Sequence, residues 1–314
     1  MFKPRFQITP ETASALMQIE AVRRELSGLV IEPRFLISLR ETATLQSTHF
    51  STQIEGNRLT LPEVKEVLKG AKFPGRERDE TEVRNHYLAF AHMETLADAQ
   101  SDIGEKDIQV LHGLVLTGKR KLSPYRTQQN VIRDSGSGRI VYLPPEAPNV
   151  SALMKELVSW VKETLSDGTL PAPIIAALAH YQFATIHPYL DGNGRTARLL
   201  TTLILRRAGY GLEGIYSLDE HYATNLKAYY EAFRSVTTTT TKAVLMLISP
   251  RLSHTSPRVW TVPLGKSGMQ RSNWVRNRQR PEQTFFGNLT PARGACSTSS
   301  TASVPPPAKR WQLT

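Results

Sequence analysis

The 314-residue chain is long enough for one sizeable hydrophobic core or two small ones, and its 40% apolar content suits a globular protein. No run reaches the ~18 apolar residues that a membrane-spanning helix needs, and the single cysteine, Cys296, excludes an intrachain disulfide and a Cys-rich metal site. The net charge of +11 invites a nucleic-acid reading, but 11 of the 39 basic residues lie beyond Val236 beside one acid, Glu282, so nucleic acid is not expected as a partner of the nearly neutral residues 1–236.

In chain order, the N-terminal stretch MFKPRFQITPET lacks a basic-then-apolar signal sequence, which points to a cytoplasmic protein. Apolar positions at helical spacing (Leu45, Phe50, Ile54) predict a helix over 41–54 that breaks at Gly56-Asn57. Thr60-Leu61-Pro62-Glu63 is a capping box with proline in the first turn, opening the next helix. Amphipathic helices are expected over 78–97 and 106–116. Residues 130–143 cluster β-formers around a Ser-Gly-Ser-Gly turn, a hairpin signal closed by Pro144-Pro145. A helix over 151–165 follows, with Leu153, Leu157, Trp160 and Val161 on one face, then a buried helix over 173–186 and another over 196–207. The fold class is mostly α, a helical bundle with one small β-hairpin and no internal repeat. Beyond Val236 come five threonines, a short apolar stretch and Ser-, Pro-, Arg- and Gln-rich segments, whose composition predicts a disordered basic tail over 237–314.

The informative string runs from His187 to Arg198: His187-Pro188-Tyr189-Leu190-Asp191-Gly192-Asn193-Gly194-Arg195-Thr196-Ala197-Arg198. Its glycines sit between two apolar helices, where positive φ turns backbone N–H groups inward as an anion nest. The N-terminus of the following helix adds to that attraction. Arg195 and Arg198 lie three apart and project from one face of its first turn. Two guanidiniums, a nest and a helix N-terminus call for a polyphosphate. Asp191 supplies a hard oxygen for an accompanying Mg²⁺, and His187 stands where it can take a proton from an attacking hydroxyl. The string lacks the Lys-Ser/Thr of a P-loop.

Each part alone is a common turn. Together they resemble, at every defining position, the Fic family signature His-Pro-aromatic-x-Asp-Gly-Asn-Gly-Arg-x-x-Arg, with Tyr189 in the aromatic place more often held by Phe. The resemblance spans roughly residues 37–233 and implies a Fic-type helical bundle that transfers AMP from ATP to Ser, Thr or Tyr hydroxyls of a target protein. Carried over by position, it implies His187 as general base and Asp191 as the Mg²⁺ ligand. It gives Gly192, Asn193 and Gly194 the α- and β-phosphates, Arg195 the β-phosphate and Arg198 the γ-phosphate, with Thr196 and Ala197 in the same nucleotide-binding turn. Tyr230, of the Tyr229-Tyr230 pair, resembles an aromatic beside the adenine. The 130–143 hairpin takes the place of the family's flap, which docks the target protein by strand addition.

A second pattern, Ser51-Thr52-Gln53-Ile54-Glu55-Gly56, resembles the family's inhibitory helix, here about 42–57. A carboxylate in a last helical turn opposes the dipole unless it pairs with a cation elsewhere. The resemblance pairs Glu55 with Arg198, placing Ser51, Glu55 and Gly56 in a built-in brake. The implied organisation is an N-terminal helical region with that helix over 1–100, a catalytic core over 101–236 and the tail over 237–314. Relatives continue after the Tyr pair with a Tyr/His/Asn-rich stretch, and threonine codons read one base earlier encode only Tyr, His, Asn or Asp. The tail is therefore expected to be a frame-shifted translation. Other readings left open are transfer of UMP, phosphate or phosphocholine, and a DNA-binding regulator with a silent core. The sequence also leaves open whether the chain forms a homodimer.

Overall fold

The computed structural model describes residues 2–99, 101–134, 138–234 and 311–313. Apart from 311–313, the expected tail lies outside the described residues, and so does the frame-shift expectation. Helix α1 (Pro10–Ser27) starts where the Thr9 hydroxyl accepts the Thr12 N–H at 3.3 Å. Helix α2 (Pro33–Ile54) begins two turns before the expected 41–54. Pro33 fits a first helical turn, and the Glu32 carboxylate accepts the Phe35 N–H at 3.1 Å, so a cap starts the helix before the apolar period does. Helix α3 (Leu61–Leu68) opens on the expected reciprocal cap, Thr60 N–H to Glu63 at 2.7 Å and Glu63 N–H to Thr60 at 3.5 Å.

The rest of the bundle follows as α4 (Glu77–Asp98), α5 (Glu105–Thr117), α6 (Val150–Asp167), α7 (Ala172–Ile186), α8 (Asn193–Leu205), α9 (Leu218–Thr224) and α10 (Leu226–Arg234). Helix α7 is apolar nearly all round, with Ile174, Ile175, Ala176, Ala177, Ala179 and Phe183 buried, as befits a helix at the centre of a bundle. It packs on α6 and α8, while α4 and α5 cover the far side of α8. Burying one large apolar side chain stabilises by about 1.5–3 kcal/mol, so this central pair rigidly fixes the short loop joining α7 to α8. Helix α2 lies across α4 and α9 and reaches α8, which brings its C-terminal end to that loop.

The hairpin is shorter than its sequence signal. Strands β1 (Ile132–Asp134) and β2 (Ile140–Tyr142) pair antiparallel with a bulge between Ile132 and Arg133. A third strand, β3 (Trp311–Leu313), pairs antiparallel with the other edge of β1, giving the order β2-β1-β3. The expected tail therefore contributes one short strand among the described residues. Side chains do the anchoring at the hairpin base: Asn130 donates to the Tyr189 carbonyl at 3.1 Å, Gln129 to Pro144 at 3.0 Å and the Tyr142 hydroxyl to Thr185 at 3.0 Å. Among the described residues, no helix is long and apolar enough to cross a membrane.

Candidate active site

Helix α7 ends as His187 turns into the left-handed region, φ 52° and ψ 59°. That conformation costs a residue with a Cβ about 1–2 kcal/mol, and Arg126 holds it. The buried Arg126 guanidinium donates Nε to the His187 carbonyl at 2.9 Å, Nη1 to Gln128 at 3.1 Å, and Nη2 to Pro145 and to Ile186. Its own N–H reaches the Pro188 carbonyl at 2.9 Å. One cation thus ties the end of α7 to both feet of the hairpin. The His187 ring donates from Nδ1 to the Ala184 carbonyl at 3.3 Å, which assigns the lone pair to Nε2. Nε2 is sealed from solvent and without a partner among the described residues. Burial, aided by the Arg126 charge, pushes the imidazole pKa down to about 4, so it is neutral and able to accept a proton at pH 7.

The loop beyond is fixed by side chains that fold back on it. Asn193 exchanges two hydrogen bonds with Tyr189, accepting its N–H at 3.0 Å and donating to its carbonyl at 2.8 Å. The Asn193 amide therefore shapes the loop, and the backbone is left to face a ligand. Tyr189 stacks on the His112 ring at 3.4 Å, and His112 bridges Ser123 (2.7 Å) and the Asp191 carbonyl (2.8 Å). Gly192, at φ 77°, caps α8 without a side-chain partner for the first N–H groups. The first intrahelical bond runs from Thr196 N–H to the Gly192 carbonyl at 3.0 Å. The N–H groups of Asn193, Gly194 and Arg195 therefore have no intrahelical acceptor and form an anion cradle.

The Arg195 guanidinium is buried at 3% exposure, 3.4 Å from the exposed Asp191 carboxylate, with its Nε unpartnered among the described residues. A cleft of about 380 Å³ lies beside both side chains, lined also by Asn85, Glu82 and Leu116. Thr196 and Ala197 are fully buried beneath the first turn. They support the cradle from inside.

Arg198 is also fully enclosed, and its partners come from three helices. Nη2 donates to Glu55 Oε1 at 2.9 Å and to the Ser51 carbonyl at 2.8 Å, Nε to the Ser51 hydroxyl at 2.9 Å, and Nη1 lies 3.5 Å from the Tyr229 hydroxyl. Asp219 Oδ1 stands 3.1 Å from Nε as a second ion pair, off the axis of the N–H that points at Ser51. Burial opposes the Arg198 charge, but Glu55, Tyr229 and Asp219 more than offset that and raise its pKa. A Cβ on Gly194 would collide with Glu55 Oε1, so the Glu55 carboxylate already lies against the α8 cradle. Glu55 is presented by the end of α2: Gly56, at φ 89°, sends its N–H to Gln53 (2.8 Å) and Asn57 to Thr52 (3.1 Å), a Schellman turn.

The structure thus brings together His187, Asp191, Gly192, Asn193, Gly194, Arg195, Thr196, Ala197, Arg198, Ser51, Glu55 and Gly56. Of the tyrosine pair, Tyr229 reaches Arg198 and His180 (3.1 Å), while Tyr230 sits half-buried against the Tyr229 ring at 5.3 Å. Arg126, His112 and Asp219 escaped the sequence reading. Asp219 follows the α9 cap Ser217, whose hydroxyl accepts the Glu220 N–H at 3.2 Å, so its place in a first turn already had an ordinary explanation.

Residues 102–205 match the Fic/DOC family model. The chain is 32% identical over 197 residues to the protein adenylyltransferase Fic of Drosophila willistoni and equally so to that of Drosophila melanogaster. Those alignments cover 62% of this chain but 38% and 39% of the relatives, so the chain spans well under half the length of the curated proteins it matches. Among solved structures, a Fic family protein from Desulfovibrio desulfuricans superposes with a TM-score of 0.62 at 27% identity, covering 82% of this chain and 78% of that one. A C. elegans Fic-1 fragment gives 0.61 at 27%, covering 76% and 68%. The glycine loop, the helical bundle and these matches agree: the chain has the Fic fold, and its residues 102–205 form a domain similar to the Fic/DOC family.

Proposed function

We propose that this chain is a protein adenylyltransferase that moves AMP from ATP to a Ser, Thr or Tyr hydroxyl of a target protein and is held inactive by Glu55. One observation carries the reading: an imidazole with a sealed, unpartnered Nε2 stands at the entrance to an uncapped helix N-terminus flanked by two buried arginines. The relatives' name, protein adenylyltransferase, supports the same chemistry. His187 Nε2 takes the proton of the target hydroxyl, whose oxygen then bonds the α-phosphorus while the bond to the β-phosphate oxygen breaks and pyrophosphate leaves. The cradle and Arg195 hold the phosphate chain in line with that attack, so positioning and charge neutralisation carry most of the rate. Arg198 receives the γ-phosphate.

Asp191 offers an exposed carboxylate at the lip of the cradle, with Oδ1 accepting the Gly192 N–H at 2.6 Å. One carboxylate plus phosphate oxygens suits Mg²⁺, so Asp191 fits an ion that arrives with the nucleotide and neutralises charge on its phosphates. A target segment adds as a strand to the hairpin, where Ile140, Val141 and Leu143 are exposed apolar residues.

Glu55 blocks this chemistry by occupying Arg198 and lying against Gly194, where the γ-phosphate has to sit. Incubation with labelled ATP and Mg²⁺ tests both halves. Glu55→Gly raises self-labelling or target labelling above that of the parent. His187→Ala in the Glu55→Gly background lowers it by roughly 10²–10⁴-fold while nucleotide binding persists. Labelling that is unchanged by Glu55→Gly sinks the brake; labelling that survives His187→Ala sinks the base.

A further inference from the structure

A buried guanidinium needs its N–H groups satisfied and its charge matched, and Arg198 meets two carboxylates of different character. Glu55 is 33% exposed, at the end of α2 beside a glycine turn. Asp219 is 4% exposed, in the first turn of α9, where the helix dipole favours a carboxylate. Burial pushes the Asp219 carboxyl pKa up, while Arg198 and the Ser51 and Ser47 hydroxyls oppose that shift. An enclosed carboxylate of this kind stays only because its cation stays.

The partners of Arg198 also divide by helix. The Ser51 hydroxyl, the Ser51 carbonyl and the Glu55 carboxylate all belong to the last turn of α2. Any movement of that turn which withdraws Glu55 strips Arg198 of those contacts together. Asp219 on α9 and Tyr229 on α10 remain, and α9 contacts α8 as well as α2.

We propose that Asp219 is a positioning residue for the nucleotide, anchoring Arg198 from its Nε side so that the outer nitrogens stay aimed at the γ-phosphate space once Glu55 has left. The proposal rests on the adenylyl-transfer reading of the same site. It separates a removable carboxylate, which blocks, from a resident one, which orients. A merely structural role for Asp219 weakens all nucleotides alike, whereas an anchor for Arg198 acts on the γ-phosphate alone.

The test compares ATP and ADP binding to the full-length Glu55→Gly chain with and without Asp219→Ala, in Mg²⁺. The parent Glu55→Gly chain binds ATP more tightly than ADP. Asp219→Ala shrinks that ratio by roughly tenfold or more, the scale of one charge-assisted hydrogen bond. Its ADP affinity stays within about twofold of the parent, as expected when only the γ-phosphate contact is lost. Should the alanine variant fail to fold, Asp219→Asn decides: it keeps the shape and loses the charge, and shrinks the ratio in the same direction. An unchanged ratio in both variants, an equal loss for ATP and ADP, or a Glu55→Gly chain that does not distinguish the two nucleotides overturns the proposal. Labelling with ATP is followed in parallel. A shrunken ratio without labelling by the Glu55→Gly chain condemns the transfer reading and keeps Asp219, and labelling with an unchanged ratio does the reverse.

Discussion

Arg126 is buried, positively charged, and fastened to carbonyl oxygens alone among the partners described. Its fork spans the C-terminal end of α7, where the helix dipole welcomes a cation, and it holds His187, the proposed base, in a left-handed conformation that favours glycine. Lysine keeps the charge but cannot span several acceptors with a planar fork. In the Glu55→Gly background, Arg126→Lys lowers the labelling rate by roughly tenfold or more through misplacement of His187. Nucleotide affinity changes little, because Arg126 touches neither the cradle nor Arg195. Single-turnover labelling beside a binding titration separates the two, and equal losses in both contradict this role. His112 and Tyr189 do similar work further along, the stacked pair backing the Asp191 carbonyl. Neither Arg126 nor His112 was legible in the sequence. Arg126 lies in an aperiodic stretch, and its acceptors are backbone carbonyls up to 61 positions away. The loop from His187 to Arg198 was legible because its chemistry is contiguous: a helix end, a glycine turn and a helix start in twelve consecutive residues.

At the scale of elements, the end of α2 is where the fold meets the proposed brake. Glu55 carries a charge at the unfavourable end of a helix, and only the contact with α8 explains it. The sequence pattern located this end because the Gly56 turn closes it, but not the start of α2, where Pro33 and the Glu32 cap precede the apolar period. Gly56 at φ 89° makes the Schellman turn that aims Glu55. Gly56→Ala places a Cβ in that left-handed conformation at a cost of about 1–2 kcal/mol. Relief comes most readily by unwinding the last turn, which also loosens Glu55. Thermal unfolding therefore moves down, and labelling rises above the parent but below that of Glu55→Gly. A variant with lowered stability and unchanged labelling shows that the brake does not depend on this turn. The hairpin teaches a related lesson: turn residues announced it, but its short strands are held by Asn130, Gln129 and Tyr142, which no alternation pattern reveals.

For the whole molecule, the interior has a feature that charge counting hides: it buries neutral histidines. Burial first, then the Arg198 and Arg195 charges, push His86 down to about 3; burial and Arg198 take His180 to about 3. Burial chiefly takes His112 and His187 to about 4. An unfolded histidine titrates near ~6.5. Well above that value both states are neutral, and these groups leave stability independent of pH. Below it the unfolded chain binds protons that the native state refuses, so stability falls as pH falls, by about 1.4 kcal/mol per pH unit for each such histidine. The loss continues until the native values near about 3 to 4 are reached. Asp219 and Glu220, whose carboxyls are raised by burial, act in the opposite sense but only in the carboxylate range. Urea unfolding at about pH 7, 6 and 5 is therefore expected to show a steep fall over the last step, with several protons taken up on unfolding. His86 isolates the cause, because neither ring nitrogen has a hydrogen-bond partner among the described residues and its removal leaves no broken bond behind. His86→Leu flattens the slope between about pH 6 and 5 by about 1.4 kcal/mol per unit. A slope unchanged by that substitution places the acid sensitivity elsewhere, while a slope reduced by that amount identifies the buried neutral imidazoles as its source.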